Sequence, residues 1–516
     1  MFGSHRQVSA VAASLLLLAC SKNHSLTIKI ITPPGMADPF LLASQVRVTI
    51  GDKQTSSPVA AGHFSTTLEI ESPTEGQQTQ LLVEALDGAG QVVGRGHTPP
   101  FGLSLSDAEV AVYVGKPGQV TGSDLKIPDD AMTSAQGRKD LAACALRGRR
   151  TSPVETGLGA IIVSGESEGV LLSTKAWVFK PATFQILDGG TISKGRRGAV
   201  VLPSADATLG QQALLVGGAG AGSELVTQTE KFDPAVSAIK DVWSLPSTEI
   251  GDIGKPGMYQ PAWAELQDSV FLVAGGSTDP ASDAPSGQAV IVKRFPAVSA
   301  DMLARVGVSV VPPPGDRPTA MVVPRHRHTL TALSAATLAF GGLSLGDVTA
   351  KKPVAELFFP ERNAFQALTF MAGEPTSRRG HVAAKLKNGL ALIIGGYSEA
   401  ASGMKTVLGS TLTVDITART FVLTDGILKT PRWGSSLHES SGELVICGGY
   451  DQNGQVVGDC EFLSTENGQQ SRPPSLLPMP RAEHLAIPLE NDLTLLIGGV
   501  GSDRKSVAAL DFYTTK

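Results

Sequence analysis

Residues 378–397, RRGHVAAKLKNGLALIIGGY, gather several residue types that could perform chemistry. His381 could act as a general base, and Gly395 and Gly396 could form a loop that holds a phosphate. A phosphate site, however, requires a glycine-rich turn that opens a helix and carries Lys followed by Ser or Thr. Here an apolar run leads into the glycines and a strand pattern follows them, so we expect no phosphate site.

The same plan recurs along the chain, which favours a structural role for these residues. Six apolar strings end in a glycine pair, and a seventh, weaker copy at 160–165 ends in Ser164 and a single glycine. Successive copies lie 50 to 66 residues apart, a period typical of propellers and solenoids. The paired glycines predicted to be structural are Gly217, Gly218, Gly275, Gly276, Gly341, Gly342, Gly395, Gly396, Gly448, Gly449, Gly498 and Gly499.

An arginine precedes most copies of the glycine pair by 16 to 21 residues, and it is predicted to be structural as well. Tyr259 takes this place in the third copy. The arginines are Arg196, Arg325, Arg378, Arg432 and Arg481, with Arg147 before the weak copy.

Three histidines, His328, His381 and His484, each follow such an arginine by three residues. A metal site would need them to converge within about 2 Å of one ion. Because equivalent positions of a repeat lie in different units, we expect no metal site. We expect each histidine to hold its own inner strand by hydrogen bonds.

Short strands are the elements that must position these residues. The chain has 57 glycines and 33 prolines, a content that favours tight turns between strands. Residues 390–394 are apolar at every position, which fits a strand whose sheet is covered on both faces. Each repeat supplies four strands, but the last copy supplies three. We therefore expect a strand from about 120–140 to complete the last sheet.

The repeats resemble kelch repeats, whose pattern runs from an arginine, often with a histidine, through an apolar strand ending in Gly-Gly to an aromatic outer strand. The resemblance covers residues 140–516 and implies an all-β fold, a seven-bladed kelch-type β-propeller. Kelch-like propellers include galactose oxidase and a sialate epimerase. An enzyme acting on carbohydrate, of the oxidase, epimerase or hydrolase class, is therefore the alternative function.

The oxidase-type copper site requires two tyrosines and two histidines. Tyr259, Tyr397 and Tyr450 stand in different repeats at what we interpret as different phases, so this set is not expected to assemble. We expect no catalytic constellation, no metal and no cofactor.

The N-terminus resembles a bacterial lipoprotein signal peptide. Arg6 precedes an apolar run at 8–19, which is too short to span a bilayer, and LLAC at 17–20 resembles a lipobox. The resemblance implies removal of residues 1–19, a diacylglyceryl anchor on Cys20, a tether at 20–24 and, with Ser21 following, the outer membrane of a Gram-negative cell envelope. An ordinary signal peptide with a chance cysteine is the alternative.

Residues 25–115 alternate polar and apolar residues in short runs, which is typical of half-buried strands. We expect a small antiparallel β-sandwich of the immunoglobulin-like kind here. Residues 116–139 are interpreted as a linker that contains the completing strand.

Cys447 and Cys460 flank Asn453-Gly454, a pair typical of two-residue hairpin turns. Counting outward from that pair places the two cysteines opposite each other on a non-hydrogen-bonded pair, where side chains approach closely. A disulfide is therefore predicted for an exported protein, with two buried thiols as the alternative. Cys144 is expected to be a small buried residue.

Charge and fold together favour binding over catalysis. The formal net charge of −5 is too small to indicate a nucleic-acid partner. Loops on one face of a rigid scaffold commonly carry binding sites. We expect a monomeric, non-catalytic binding or scaffold module that presents its loops to a protein or a glycan.

Overall fold

The computed structural model consists mainly of short β-strands, so the expected all-β class is confirmed. Within the described residues, the helical elements are the α-helix Leu345–Thr349 and two 3-10 turns, Gly35–Ala37 and Pro39–Leu41. The structure describes residues 11–17, 24–59, 78–102, 108–131, 134–146, 159–167, 172–206, 210–233, 238–244, 258–267, 269–281, 284–294, 306–310 and 321–516.

Two sheets packed face to face form the N-terminal region. Their shared core includes Ile28, Val48, Val83 and Val112. The first sheet contains Val11–Leu17, His24–Ile31 and Ala108–Tyr113; the second contains, in spatial order, Lys53–Pro58, Gln45–Ile50, Leu81–Leu86 and Val92–His97; Gln78–Thr79 and Phe101–Gly102 form a short ladder beside them.

The expected antiparallel pairing of this region is wrong in one place. His24–Ile31 and Ala108–Tyr113 are parallel neighbours. Parallel strands need a long connection, and here the whole second sheet lies between them in the sequence. The alternation of polar and apolar residues identifies a strand but not the direction of its partner.

Val11–Leu17 lies inside the predicted signal peptide. It pairs antiparallel with His24–Ile31 and forms the edge of the first sheet. Removal of residues 1–19 therefore leaves two strands in that sheet. Cys20, the predicted lipidation site, lies outside the described residues, so its anchor remains a prediction.

The rest of the described chain forms seven antiparallel sheets of four strands, which we number in chain order. The second strand of each, which leads into the glycine pair, occupies an inner position in its sheet. Sheet 1 contains Ala142–Ala145, Ala160–Val163, Lys175–Lys180 and Gln185–Thr191; sheet 2, Val200–Asp206, Gly210–Val216, Gln228–Asp233 and Ala238–Ser244; sheet 3, Ala262–Gln267, Val270–Ala274, Ala289–Arg294 and Val306–Val310; sheet 4, Thr329–Ala332, Thr337–Phe340, Ala355–Phe359 and Ala364–Leu368; sheet 5, Val382–Lys385, Ala391–Ile394, Thr411–Asp415 and Thr420–Thr424; sheet 6, Ser436–Ser440, Glu443–Cys447, Asp459–Ser464 and Gln470–Leu476; sheet 7, Leu485–Pro488, Leu493–Ile497, Ala509–Thr514 and Gln119–Lys126.

Three short ladders lie outside these sheets. They are Ser277–Asp279 with Ala284–Pro285, Tyr397–Glu399 with Lys405–Val407, and Arg481–Ala482 with Val500–Gly501.

The inner strands are apolar at every position because each sheet is covered on both faces. In Ala391–Ile394, Ala391 and Ile393 pack in a cluster with sheet 4, whereas Leu392 and Ile394 pack in a cluster with sheet 6. A strand points successive side chains to opposite faces, so both sets are buried. Similar clusters lie between every consecutive pair of sheets, and another lies between sheet 7 and sheet 1.

Sheet 7 takes its fourth strand from the region before sheet 1. Gln119–Lys126 pairs antiparallel with Ala509–Thr514, with Thr121 opposite Phe512. The strand lies within the stretch expected to complete the last sheet. It covers an edge that would otherwise expose unpaired backbone groups.

The N-terminal region is joined firmly to the seven sheets. Tyr113 stacks on Phe184 beside sheet 1, with ring centroids 5.2 Å apart, and lies 5.0 Å from the ring of Phe512 in sheet 7. Its hydroxyl donates to the carbonyl oxygen of Gly122 at 2.7 Å. The Tyr113 side chain therefore contacts both partners of the seam between sheets 7 and 1.

Candidate functional site

The predicted arginines lie buried behind the glycine pairs. Arg325 donates from Nη1 to the carbonyl oxygens of Gly341 and Val354, at 2.6 and 2.8 Å. These carbonyls lie where the strands leave their ladder, and a buried carbonyl needs a donor. Arg196, Arg378, Arg432 and Arg481 make the equivalent contacts with the first glycine of their own pair and with a carbonyl at the start of the third strand.

A carboxylate neutralises most of these buried guanidinium groups. Glu356 accepts from Arg325 Nε at 2.9 Å, and the partners of the others are Glu230, Glu461 and Asp511. Arg378 is the exception among them, since its Nη2 donates to the Ser410 hydroxyl at 3.3 Å. Burial lowers the pKa of Arg378 to about 10. These arginines fasten the sheets and face no open site.

Two assignments made from the spacing were wrong. In sheet 1 the equivalent arginine is Arg138, 1% exposed and paired with Asp130; Arg147 lies outside the described residues. In sheet 3 the equivalent residue is Met258 rather than Tyr259, because Gln260 has the positive φ that Arg327 has two residues after Arg325. The long connection between the first two strands of sheet 1 shifted the count.

All twelve paired glycines have positive φ, as does Ser164 at the weak copy. Ser164 compensates with its hydroxyl, which donates to the carbonyl oxygens of Ser173 and Arg196 at 2.6 Å each. The pairs thus serve as exits from the inner strands.

The predicted histidines do not hold their own strands. His381 Nε2 lies 3.0 Å from Thr329 Oγ1 of sheet 4, and His484 Nε2 lies 2.8 Å from Ser436 Oγ of sheet 6. Each ring therefore bridges to the preceding sheet, since the turn before the first strand points there. Burial lowers the pKa of His381 to about 3, and the pKa values of His328 and His484 also fall, so all three rings are neutral.

The structure joins Cys447 and Cys460 in a disulfide. They are direct partners in sheet 6, with Cα atoms 4.0 Å apart. The predicted two-residue turn is wrong, because Asp451 N donates to Gln455 O and Gly454 takes a positive φ within a three-residue loop. The glycine pair shifts the register by one residue and restores the pairing of the cysteines. Cys144 is buried.

Two general searches of the described part of the chain gave negative results. It contains no group of three or more His, Cys, Asp or Glu side chains placed to hold a metal ion. It also contains no helix of sufficient length and hydrophobicity to cross a membrane.

A series of seven turn residues, one before the first strand of each sheet, lies at the same level of the molecule. All have φ between 48° and 65°, and backbone bonds connect consecutive members, as from Gly434 N to Gly380 O at 2.8 Å. Four members carry polar side chains. The series is Asp140, Gly198, Gln260, Arg327, Gly380, Gly434 and Glu483.

These four side chains, with Tyr259 and His326, form a hydrogen-bonded cluster that we call the polar centre. Asp140 accepts from Gln260 Nε2 at 2.9 Å and from the Tyr259 hydroxyl at 3.2 Å. Gln260 Oε1 lies 3.2 Å from His326 Nε2. Residues from sheets 1 and 3, which are not neighbours in the packing order, thus meet in one network.

Arg327 and Glu483 connect sheets that are even further apart. Arg327 Nη1 lies 2.8 Å from Glu483 Oε1, although Arg327 precedes sheet 4 and Glu483 precedes sheet 7. Two sheets separate them in one direction of the packing order and three in the other. The ion pair therefore crosses the space that the seven turns surround.

The electrostatics of the polar centre separate its two carboxylates. Burial raises the pKa of Asp140, the Glu483 carboxylate raises it further, and the bonds from Gln260 and Tyr259 oppose both effects. Glu483 has the guanidinium of Arg327 as its partner. Burial also raises the pKa of Tyr450 to about 12, and Glu483 adds to that effect. Asp140 is the member best suited to hold a proton.

Three aromatic side chains, Tyr397, Trp433 and Tyr450, form a second cluster beside the polar centre; we call it the aromatic group. The ring of Trp433 lies 4.8 Å from that of Tyr450 and 5.4 Å from that of Tyr397, and the Arg327 guanidinium lies 5.6 Å from the Trp433 ring. Tyr397 and Tyr450 each follow a glycine pair directly, so our interpretation that they have different phases was wrong.

The polar centre and the aromatic group together offer hydrogen-bond donors, acceptors and partly exposed rings at one place, which suits recognition of a polar ligand. Sequence comparison of the repeats missed them, because the seven turn residues differ in type and share only their backbone conformation. No protein-family model matches the chain, and the comparison with curated proteins finds no significant relative.

Proposed function

We propose that this chain is a seven-bladed kelch-type propeller that follows an immunoglobulin-like sandwich. Seven consecutive sheets with shared cores support the proposal, as do the cluster between sheets 7 and 1 and the strand Gln119–Lys126 in the last sheet. In this interpretation the turn series surrounds the central axis at one end of the propeller, and the polar centre lies on the axis.

We further propose that the propeller is anchored by lipid on Cys20 in the cell envelope of a Gram-negative bacterium. The lipobox-like sequence is the support for this part of the proposal. Labelling of expressed protein with a radioactive fatty acid tests it. Wild-type protein should be labelled and Cys20→Ser should not; equal labelling of both proteins contradicts the assignment.

The function supported best is non-catalytic binding of a protein or a glycan at the polar centre. The observation that carries it is the partly exposed Arg327–Glu483 pair, which crosses between distant sheets beside the aromatic group. Capture from envelope extracts and binding to a glycan array test it. Arg327→Ala should lose the ligand, whereas Arg362→Ala, at a side chain that is 67% exposed, should retain it. Equal retention by both variants contradicts this site.

A carbohydrate-active enzyme is the second candidate, favoured by the raised pKa of Asp140 beside Glu483. Two carboxylates with different proton affinities are a common arrangement for acid and base roles. An enzyme should convert an array ligand into a product, and Asp140→Asn should bind but not convert it. Binding without conversion by the wild type supports the module. Metal analysis of protein purified without chelator should find no stoichiometric copper or calcium.

A further inference from the structure

The Arg327–Glu483 pair differs from the other charged pairs of the sheets in its access to solvent. Its side chains are 23% and 29% exposed, whereas both Arg325 and Glu356 are 0% exposed. A ligand can therefore reach the first pair but not the second. The bonds between Arg327 and Glu483 can also be replaced by bonds to a ligand without leaving a buried charge.

The charges near the polar centre are balanced pair by pair. Arg327 has Glu483; Arg197 lies 2.9 Å from Glu166. Asp140 accepts from uncharged donors. A ligand of either charge would meet a like charge next to each opposite one, which weakens its binding. An uncharged ligand that both donates and accepts hydrogen bonds suits these groups better.

Arg379 completes this charge pattern, with its Nη1 4.0 Å from Glu399 Oε2 and its Nη2 3.5 Å from His326 Nδ1. The guanidinium groups near the polar centre therefore offer donors while their charges are compensated.

The aromatic group supplies an apolar surface at the same place. A Cβ atom on Gly434 would lie 3.3 Å from Glu483 Cγ and 3.6 Å from Tyr450 Cδ2, so the two side chains converge over this glycine. Trp433 and Tyr450 are partly exposed. Aromatic faces suit ligands that have an apolar face and polar edges.

We propose that the polar centre and the aromatic group bind a neutral pyranose unit of a glycan. Its hydroxyl groups lie among Arg327, Glu483 and Asp140, and its C–H face lies against Trp433 and Tyr450. This inference rests on the proposed binding function and names its ligand class.

Calorimetric titration of the full chain with three sets of methyl glycosides tests the inference. The sets are neutral hexopyranosides (gluco, galacto and manno), the glucuronide, and the glucosaminide. At least one neutral glycoside should bind at least tenfold more tightly than both charged ones. Arg327→Ala and the milder Tyr450→Phe should each weaken that binding at least fivefold, while Arg362→Ala should not change it. Thermal unfolding of each variant verifies that it is folded.

The possible outcomes separate this inference from the proposed function. Tighter binding of the glucuronide or the glucosaminide overturns the inference, as does neutral binding that neither Arg327→Ala nor Tyr450→Phe weakens. If no glycoside binds but capture of an envelope protein depends on Arg327, the inference fails and the binding function stands. If neither glycosides nor envelope ligands depend on Arg327, both fail.

Discussion

At the residue scale, the buried arginines show why charges can occupy these cores. A guanidinium that loses water needs hydrogen bonds and a counter-charge, and Glu356 provides both to Arg325. The Glu356 carboxylate also accepts from the backbone N–H groups of Val322 and Val323, at 2.7 and 3.0 Å. It therefore fixes the segment that leads into sheet 4 as well as its partner arginine.

Replacement of Glu356 by Ala should lower the free energy of unfolding by about 3–5 kcal/mol, because it leaves a buried guanidinium without its counter-charge. Glu361→Ala, at a side chain that is 61% exposed, should change it by less than about 0.5 kcal/mol. Urea unfolding followed by tryptophan fluorescence measures both values. Equal unfolding midpoints for the two variants would contradict the role given to Glu356.

His438 should make stability depend on pH. Burial lowers its pKa to about 3, while the unfolded chain titrates near 6.5, so below 6.5 only the unfolded form gains a proton. Stability contributed by the neutral ring is therefore complete above 6.5 and decreases as the pH falls toward 3. At pH 5 the loss should be about 2 kcal/mol.

Phe can replace His438, since neither ring nitrogen has a hydrogen-bond partner in the described chain and the ring packs 4.9 Å from that of Tyr513. His438→Phe should match the wild type at pH 8 and be more stable by about 2 kcal/mol at pH 5. Chemical unfolding at both pH values measures this difference. A variant with the same loss of stability as the wild type between pH 8 and 5 would refute the assignment.

Single residues were predictable from the sequence where the repeats share a residue type. The glycines and most of the arginines do so, because each must satisfy the same backbone geometry. The polar centre was not predictable in this way, because Asp140, Gln260 and Glu483 occupy equivalent positions with different chemistry. Their positive φ, a property of the backbone, makes them a set.

At the element scale, the exits of the inner strands depend on close backbone approach. Gly396 and Gly389 have nearly the same φ, +87° and +88°, but different surroundings. A Cβ on Gly396 would lie 2.8 Å from Arg379 O, whereas one on Gly389 would meet nothing within 4 Å. The two glycines therefore separate the cost of conformation from the cost of contact.

Gly389→Ala should lower the free energy of unfolding by about 1–2 kcal/mol, the strain of a side chain in the left-handed region. Gly396→Ala should cost about 1–3 kcal/mol more, because backbone atoms must shift. Guanidinium unfolding curves of both variants measure the difference. If the two variants are equally stable, close approach is not the reason for the glycine pair.

Inner strands were the elements easiest to predict, because residues such as Leu392 and Ile393 face neighbours on both sides. The partners of strands were harder to predict. Nothing in the alternation of 25–31 and 109–114 indicates that they pair in parallel, because pairing is decided by the course of the intervening chain. The turn at Asn453-Gly454 was misplaced by one residue for a similar reason, since the adjacent glycine pair changes the register.

At the scale of the whole molecule, the N-terminal region and the seven sheets should unfold as one unit. Tyr113 is 1% exposed and contacts both sides of the seam, and Ala111 N donates to Ala182 O at 2.8 Å. A buried contact of this size couples the two regions, which is expected to produce a single cooperative transition.

Tyr113→Ala should lower the free energy of unfolding by about 3–5 kcal/mol and split one calorimetric transition into two. Tyr113→Phe retains the ring and loses the bonds from its hydroxyl, so it should cost about 1 kcal/mol and preserve a single transition. Scanning calorimetry of the three proteins compares these outcomes. A single, unshifted transition for Tyr113→Ala would show that the regions are coupled elsewhere.

The pairing of Gln119–Lys126 with Ala509–Thr514 also sets a timetable for biogenesis. Gln119 is opposite Thr514, 395 residues later in the chain. At about 5–20 residues per second, a ribosome needs roughly 20–80 s to make the intervening polypeptide. The early strand must wait unpaired for this time, so the final assembly step begins only once nearly the entire polypeptide has been synthesised.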